Sequence, residues 1–479
     1  MLCLTTVLAG CSNGTKSPAV ETPKAEEADV VVIGAGGAGL AAAVSAAEKG
    51  AEVIVVEKMP AIGGNTMRSG GIFNAVDPEK QKAQGIEDSI EKHISDTLKG
   101  GDNVADPALV TVLCENALDR LQWLESYGMK FDDEIVQGTG ALWPRTHQSL
   151  DPGGTGFVKT LKAAADKLGV KFYLETQATE LVTNDQGRVV GVKCEDKDKK
   201  PVEYTARKGV VVASGGFAAN VEMRKKYNPN LTSEVPSTNQ PGATGDGIIM
   251  AEKLGADLVG MEYIQVHPLC EPVTGQLRGR ARSTGAINNI IVVNQDGLRF
   301  VSEEARRDDF TAAILKQKDG LVYEINDAQI AIGNNQWGEN IEELVKEGKV
   351  TKTETIEELE QALKMPAGNL EKTIAAFNKM VENKQDPDFG RTLFDKKIEQ
   401  GPFYAVARVP SVHHTMGGLK INTEAQVLKK DGSVIPGLYA AGEVTGGIHG
   451  GNRLGGNALA DIIVFGSIAG RNAAVEEVK

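Results

Sequence analysis

The apolar positions along this chain switch between two periods. DVVVIG (29–34) is an unbroken apolar run closed by glycine, the pattern of a strand buried on both faces. AGLAAAVSAAEKG (38–50) carries small apolar residues at helical spacing, and AEVIVVEK (51–58) reads as a second strand. Residues 104–127 place Val110, Leu113, Leu121 and Leu124 on one helical face, and 155–168 is a second amphipathic helix. Strand-like runs at 170–182 and 188–194 lead into GVVVASGG (209–216), a buried strand ending in a glycine turn. From 262 to 405 the character changes to short strands and charged helices at 340–348, 353–363 and 369–384. The first pattern resumes at 419–423 and in VIPGLYAAGEV (434–444). The predicted fold class is α/β: a Rossmann-like nucleotide-binding domain (29–261 and 406–479) interrupted by an inserted α+β capping domain (262–405).

The N-terminus stands outside this pattern. MLCLTTVLAGCSNG (1–14) is a short apolar run ending in Leu8-Ala9-Gly10-Cys11. It resembles a bacterial lipoprotein signal (1–11), which implies cleavage before Cys11, a lipid on its sulfur and a place at the extracytoplasmic face of the membrane or in the periplasm. The run is too short to span a bilayer. Residues 12–28, rich in Ser, Pro, Glu, Lys and Ala, read as a flexible tether.

Composition narrows the function. With 479 residues, 41% of them hydrophobic, the chain has room for two or three domains and a large core. A formal net charge of −13 argues against nucleic acid as a partner. Beyond Cys3 and Cys11, the cysteines are Cys114, Cys194 and Cys270, with no C-x-x-C spacing. That excludes a disulfide framework, and no metal site is expected. No C-x-x-C-H attaches a haem, so electrons for any redox chemistry come from a separate protein.

Gly34-Ala35-Gly36-Gly37-Ala38-Gly39 fits G-x-G-x-x-G directly after a strand and opening a helix. The first glycine permits the tight turn, the second a close approach to pyrophosphate, the third close helix–strand packing. Glu57, followed by Lys58, ends the next strand at the distance suited to ribose hydroxyls. Three further stretches are glycine-rich: GGNTMRSGG (63–71), ASGGF (213–217) and AAGEVTGGIHGGNRLGGNAL (440–459). Several such turns converging on one ligand suit a long dinucleotide gripped by backbone.

Taken in order, GAGGAG, GGNTMRSGG, STNQPGATGDG, IQVHP, RFVSEEARRD, HHTMGG and AAGEVTGGIHGGNRLGGNAL resemble the fumarate reductase/succinate dehydrogenase flavoprotein superfamily. The likeness runs from about Asp29 to the C-terminus and is nearest to the soluble flavocytochrome c type of fumarate reductase, without its haem domain. It implies FAD, held by Gly34, Gly36, Gly37, Ala38, Gly39, Glu57, Lys58, Gly63, Gly64, Asn65, Thr66, Ser69, Gly70, Gly71, Ser214, Gly215, Gly216, Thr244, Gly245, Asp246, His414, Glu443, Asn457, Ala458 and Leu459. Covalent members attach FAD through a His after the GGN region; 63–71 has none, so noncovalent FAD is expected. The likeness further implies that His267, His413 and Arg453 hold a substrate carboxylate and that Arg307 is the acid. The expected reaction is reduction of a C=C bond conjugated to a carboxylate, with hydride from flavin N5 to the β-carbon and a proton from Arg307 to the α-carbon. The electron donor would be a cytochrome, flavoprotein or quinol-linked protein. The alternative for Arg307 is a surface ion pair with Asp308 or Glu303, and Arg306 is its one-residue neighbour.

One stretch departs from the family. After IQVHP its members carry Thr-Glu-x-x-Arg-Gly, whose Thr binds a second carboxylate and whose Glu and Arg return protons to the acid. Here Arg278 and Gly279 stand at the Thr and Glu positions, and Arg282 matches the relay Arg. Arg278, Arg280 and Arg282 read equally as an anion site or a solvated basic face. The departure points from fumarate to a urocanate, acrylate, methacrylate or cinnamate-type acid. A flavin dehydrogenase of ketosteroid type and a non-enzymatic flavin electron carrier are the other readings.

Overall fold

The computed structural model describes residues 24–477 apart from 139, 284–286 and 288. Cys11, the signal and tether residues 12–23 lie outside the described residues. Tether residues 24–28 do not: they open the strand Lys24–Ile33, paired from Lys24↔Val202 to Ala28↔Ala206 with the strand Pro201–Val212. Lys-Ala-Glu-Glu-Ala carries no apolar run. Its strand is imposed by a ladder to a segment almost 180 residues away, which no local pattern announces.

The main sheet runs, edge to edge, through Gln426–Leu428, Val434–Ala440, Pro201–Val212, Lys24–Ile33, Val53–Val56 and Lys171–Tyr173. All neighbours from Val434–Ala440 onward are parallel. Val30, Val31, Val32 and Val210, Val211, Val212 are fully buried, as their unbroken apolar runs require. Helix Gly37–Ala47 packs on the closing helix Asn457–Val475. Glycines permit that crossing: a Cβ on Gly470 would stand 2.0 Å from the Ala42 carbonyl oxygen. The helix predicted over 104–127 is Pro107–Ser126, with Val110, Leu113, Leu121 and Leu124 all buried.

The insert builds a second sheet from Ile264–Cys270, Phe403–Thr415, Val322–Asp327 and Ile291–Val293, with Thr351–Thr353 alongside. Its charged helices are Ile341–Lys346, Ile356–Leu363 and Asn369–Asn383. The strand Phe403–Thr415 crosses the boundary expected at 405/406: it pairs with Val322–Asp327 at its start and with Ile264–Cys270 further on. One continuous strand therefore carries the chain from the insert to His413. Cys114, Cys194 and Cys270 are buried free thiols.

Burial also dictates a pH dependence. His93 and His147 are each held at about 4, chiefly by burial. The unfolded value is near 6.5, so between these values the unfolded chain binds more protons and stability rises with pH. The contribution is complete above about pH 6.5 and is lost as pH falls towards 4, at roughly 3 kcal/mol for each histidine in the limit. Urea unfolding at pH 7 and pH 5 is expected to show lower stability at pH 5; equal midpoints would contradict neutral buried rings.

Candidate active site

The glycine turn at 34–39 is forced by its neighbours. Gly34 has φ +105°, and a Cβ there would meet the Ala213 carbonyl oxygen at 2.4 Å; one on Gly39 would meet the Gly34 oxygen at 1.9 Å. A Cβ on Gly36 or Gly215 would instead enter open space, with no atom within 4 Å. Glu57 accepts the backbone N–H groups of Ala35 and Met59, both at 2.8 Å, and so holds the turn against its strand. Lys58 Nζ donates to Thr244 Oγ1 at 2.6 Å and to Asp246 at 2.8 Å.

Gly34, Gly36, Gly37, Ala38, Glu57, Lys58, Gly64, Asn65, Thr66, Ser69, Gly70, Ser214, Gly215, Asp246, His414, Glu443, Ala458 and Leu459 line one cavity. Gly39, Gly63, Gly71, Gly216, Thr244, Gly245 and Asn457 do not line it. They shape its wall from behind: a Cβ on Gly71 would strike the Gly153 oxygen at 2.1 Å, and Asn457 is buried on Asn74 and Thr97. The cradle suits a dinucleotide such as FAD. Two open glycines admit a ligand against backbone, and buried Ser214 Oγ has no partner within the protein. Gly39→Ala is expected to cost about 1–3 kcal/mol through overpacking and to reduce bound flavin. Flavin absorbance per protein and a thermal melt check this, and unchanged values in both would contradict the packing argument.

The same cavity is lined by His267, Arg280, Arg282, Arg307, His413 and Arg453. His267 lies on Ile264–Cys270 and His413 on Phe403–Thr415, which are antiparallel neighbours with His267 opposite Ser411. The register brings the two rings to 5.2 Å at 74°. Arg307 begins the helix Arg307–Leu315, and Arg453 precedes the closing helix. Both guanidiniums reach one acceptor: Gln265 Oε1 takes a hydrogen bond from Arg307 and another from Arg453, each at 3.0 Å. Gln265 Nε2 donates to Asn452 Oδ1 at 2.7 Å and to the Arg453 carbonyl at 2.8 Å, so the amide is locked in one orientation. Gly140 leaves room for the Arg307 side chain, since a Cβ there would lie 2.8 Å from its Nε. Arg306 is the surface residue: it is ion-paired to Asp102 at 2.6 Å and Asp308 at 2.7 Å.

Burial sets the charge state of this cluster. Burial, then the nearby Arg453, pushes the Arg307 pKa well below the usual guanidinium value, and burial brings Arg453 down to about 10. Burial and the adjacent guanidiniums hold both His267 and His413 well below the usual imidazole value, so both are neutral at pH 7. His267 Nδ1 accepts the Leu269 N–H at 3.2 Å, which leaves its proton on Nε2. His413 Nδ1 lies 2.8 Å from Thr238 Oγ1.

The arginine stretch is neither a solvated face nor a uniform anion site. Arg278 is exposed, and its carbonyl accepts from Arg408 at 2.9 Å. Arg280 and Arg282 are buried on Glu324, at 3.5 and 2.8 Å. Burial alone would raise the Glu324 pKa, but Arg282, Arg280 and Arg408 bring it down to about 2. Sequence reasoning missed both Glu324 and Gln265. Gln265 stands two residues before His267, and the alternating burial of that strand puts them on one face. Glu324 had a weaker signal, an acid in the short strand VYEIND.

Known proteins are similar to this chain in sequence and fold. A family model described as an FAD binding domain matches residues 29–459. The chain is 42% identical to a urocanate reductase of Eggerthella lenta, over 94% of this chain and 75% of that protein. It is 40% identical to an NADH:acrylate oxidoreductase of Vibrio harveyi, over 94% of this chain but 50% of that protein, and so spans half the length of the Vibrio relative. The open conformation of a flavocytochrome c3 fumarate reductase superposes with a TM-score of 0.74 at 39% identity, over 94% of this chain and 78% of the other.

Proposed function

Since this chain belongs to the FAD-binding family matched over residues 29–459, with urocanate and acrylate reductases among its relatives, we propose that it reduces the C=C bond of an α,β-unsaturated carboxylate. The observation that carries this reading is the convergence of buried Arg307 and Arg453 on the Gln265 oxygen, beside two neutral histidines. FAD, held noncovalently in the glycine cradle, supplies hydride chemistry at the β-carbon. Arg453 offers paired N–H donors matched to a carboxylate. His267 and His413 add neutral donors where negative charge develops. Arg307 gives the α-carbon its proton. A guanidinium is a poor acid in water, and burial beside a second guanidinium lowers the cost of its losing a proton. The insert closes on the flavin domain through Trp337 Nε1 to the Ser69 carbonyl at 3.2 Å and Arg306 to Asp102, which helps exclude water.

Electrons come from a separate donor protein. The N-terminal segment serves as a lipid anchor at Cys11 on the extracytoplasmic face; its support is the Leu8-Ala9-Gly10-Cys11 sequence. The reductase reading is tested by anaerobic oxidation of reduced viologen with fumarate, acrylate, methacrylate, urocanate, cinnamate and 4-hydroxycinnamate. Turnover of one or more is expected. Turnover of none by flavin-loaded protein would overturn it in favour of a dehydrogenase or an electron carrier.

A further inference from the structure

We propose that Trp337 and Gln336, with Leu277, form the subsite for the β-substituent of the substrate. We propose further that this substituent is a flat ring bearing a hydrogen-bonding group, which makes the substrate a β-aryl acrylate. The inference rests on the enoate reductase reading and names its substrate class.

Arg280, a side chain placed to grip a second carboxylate, is already engaged. All three nitrogens of the Arg280 guanidine group have partners: the carbonyls of Leu269 at 3.0 Å and Leu277 at 3.3 Å, and Glu324 at 3.5 Å. Arg282 Nε is on Glu324. Arg278 is exposed and does not line the cavity. Arg68, also on the wall, donates to the Asn239 carbonyl at 3.4 Å.

Beside the clamp, Leu277 and Trp337 give the wall an apolar patch. Cys270 Sγ lies 3.7 Å from His267 Nδ1, and Cys270 packs with Leu277 and Trp337 in one buried cluster. Leu277 and Trp337 both line the cavity. The indole is fixed: Nε1 donates to the Ser69 carbonyl at 3.2 Å, and the Arg280 guanidinium lies 5.7 Å from the ring centroid. A rigid aromatic wall favours an aromatic ligand group through area and ring–ring contact. Gln336 adds a polar point on the same wall. Its backbone oxygen accepts from Gly153 at 2.8 Å, while its side-chain Oε1 is buried without a partner. An unmet buried acceptor favours a ligand that donates to it, such as a phenol O–H or a ring N–H.

The reaction balances overall with two electrons from two reduced viologens and two protons from solvent: both electrons and one proton reach the β-carbon as hydride, and the other proton reaches the α-carbon through Arg307. The test compares kcat/KM for 4-hydroxycinnamate, cinnamate, acrylate and fumarate in the flavin-loaded wild type, W337A, W337F and Q336L. Wild type is expected to favour 4-hydroxycinnamate. W337A is expected to lower the ratio of cinnamate to acrylate by about tenfold, the scale of losing one aromatic contact, and W337F to restore most of it. Q336L is expected to lower the ratio of 4-hydroxycinnamate to cinnamate. If Trp337 is only a latch between insert and flavin domain, W337A slows all acids alike and the ratio stays put, which overturns the subsite. A wild type that reduces acrylate or fumarate but no aryl acrylate overturns it too, leaves the reductase reading standing, and turns attention to Arg68. A wild type that reduces no acid removes the reading beneath it.

Discussion

Arg307→Ala is expected to lower turnover by about 10³-fold or more, within the range a positioned general acid contributes, while bound flavin stays near the wild-type level. The loss falls on chemistry because the site stays satisfied without the guanidinium: Gln265 Oε1 still accepts from Arg453 at 3.0 Å, and Gln265 Nε2 keeps both its acceptors. Arg307→Lys is expected to recover little, since a lysine cannot reproduce the planar group that meets Gln265. Arg306→Ala is the informative partner. Arg306 is held by Asp102 and Asp308 at the surface, so its loss should leave most activity. Viologen oxidation with flavin absorbance separates the cases. Full activity in R307A, or an equal loss in R306A, would show that the acid is misassigned.

Glu324→Gln is expected to destabilise the protein by about 3–5 kcal/mol, the effect of stripping one partner from a buried ion pair. Arg280, Arg282 and Arg408 all lie close enough to depress the Glu324 carboxyl, so its neutralisation leaves a buried cluster of guanidiniums without counter-charge. Arg280 and Arg282 also wall the substrate cavity, so activity should fall with stability. The acid side of the pH curve carries the same residue. A carboxylate held at about 2 contributes stability that is complete above its unfolded value near 4.3 and is lost as pH falls through 2, below the window of the histidines. Urea unfolding of E324Q at pH 7 measures the loss, and a midpoint equal to wild type would mean that the arginines find other partners.

Much of the fold was legible because its central strands are unbroken valine runs and its turns need glycine for contact reasons. The five residues at 24–28 were not: their strand depends on a partner at 202–206. The same limit applies within the site. His267, His413 and Arg453 carry their motifs with them, and the structure brings them together. Arg306 and Arg307 are neighbours of identical chemistry. Only the start of the helix Arg307–Leu315 decides which one turns inward to Gln265 and which stays at the surface. The basic stretch 278–282 was ambiguous because its meaning lies 42 residues on, where Glu324 meets Arg282 from the strand Val322–Asp327. Local spacing reads which residues share a face; it does not read which distant side chain will neutralise them.

The crossing of helix Gly37–Ala47 with Asn457–Val475 also has a consequence for biosynthesis. The glycine turn leaves the ribosome about 420 residues before its covering helix. At roughly 5–20 residues per second, that delay is on the order of 20–80 s. Throughout it the face of Gly37–Ala47 that packs on Asn457–Val475 in the finished fold lacks that cover. Flavin capture is therefore expected to be a late event, since Ala458 and Leu459 of that helix line the cavity. Cells short of the cofactor should accumulate an apoprotein whose last helix docks poorly and is the first place a protease cuts.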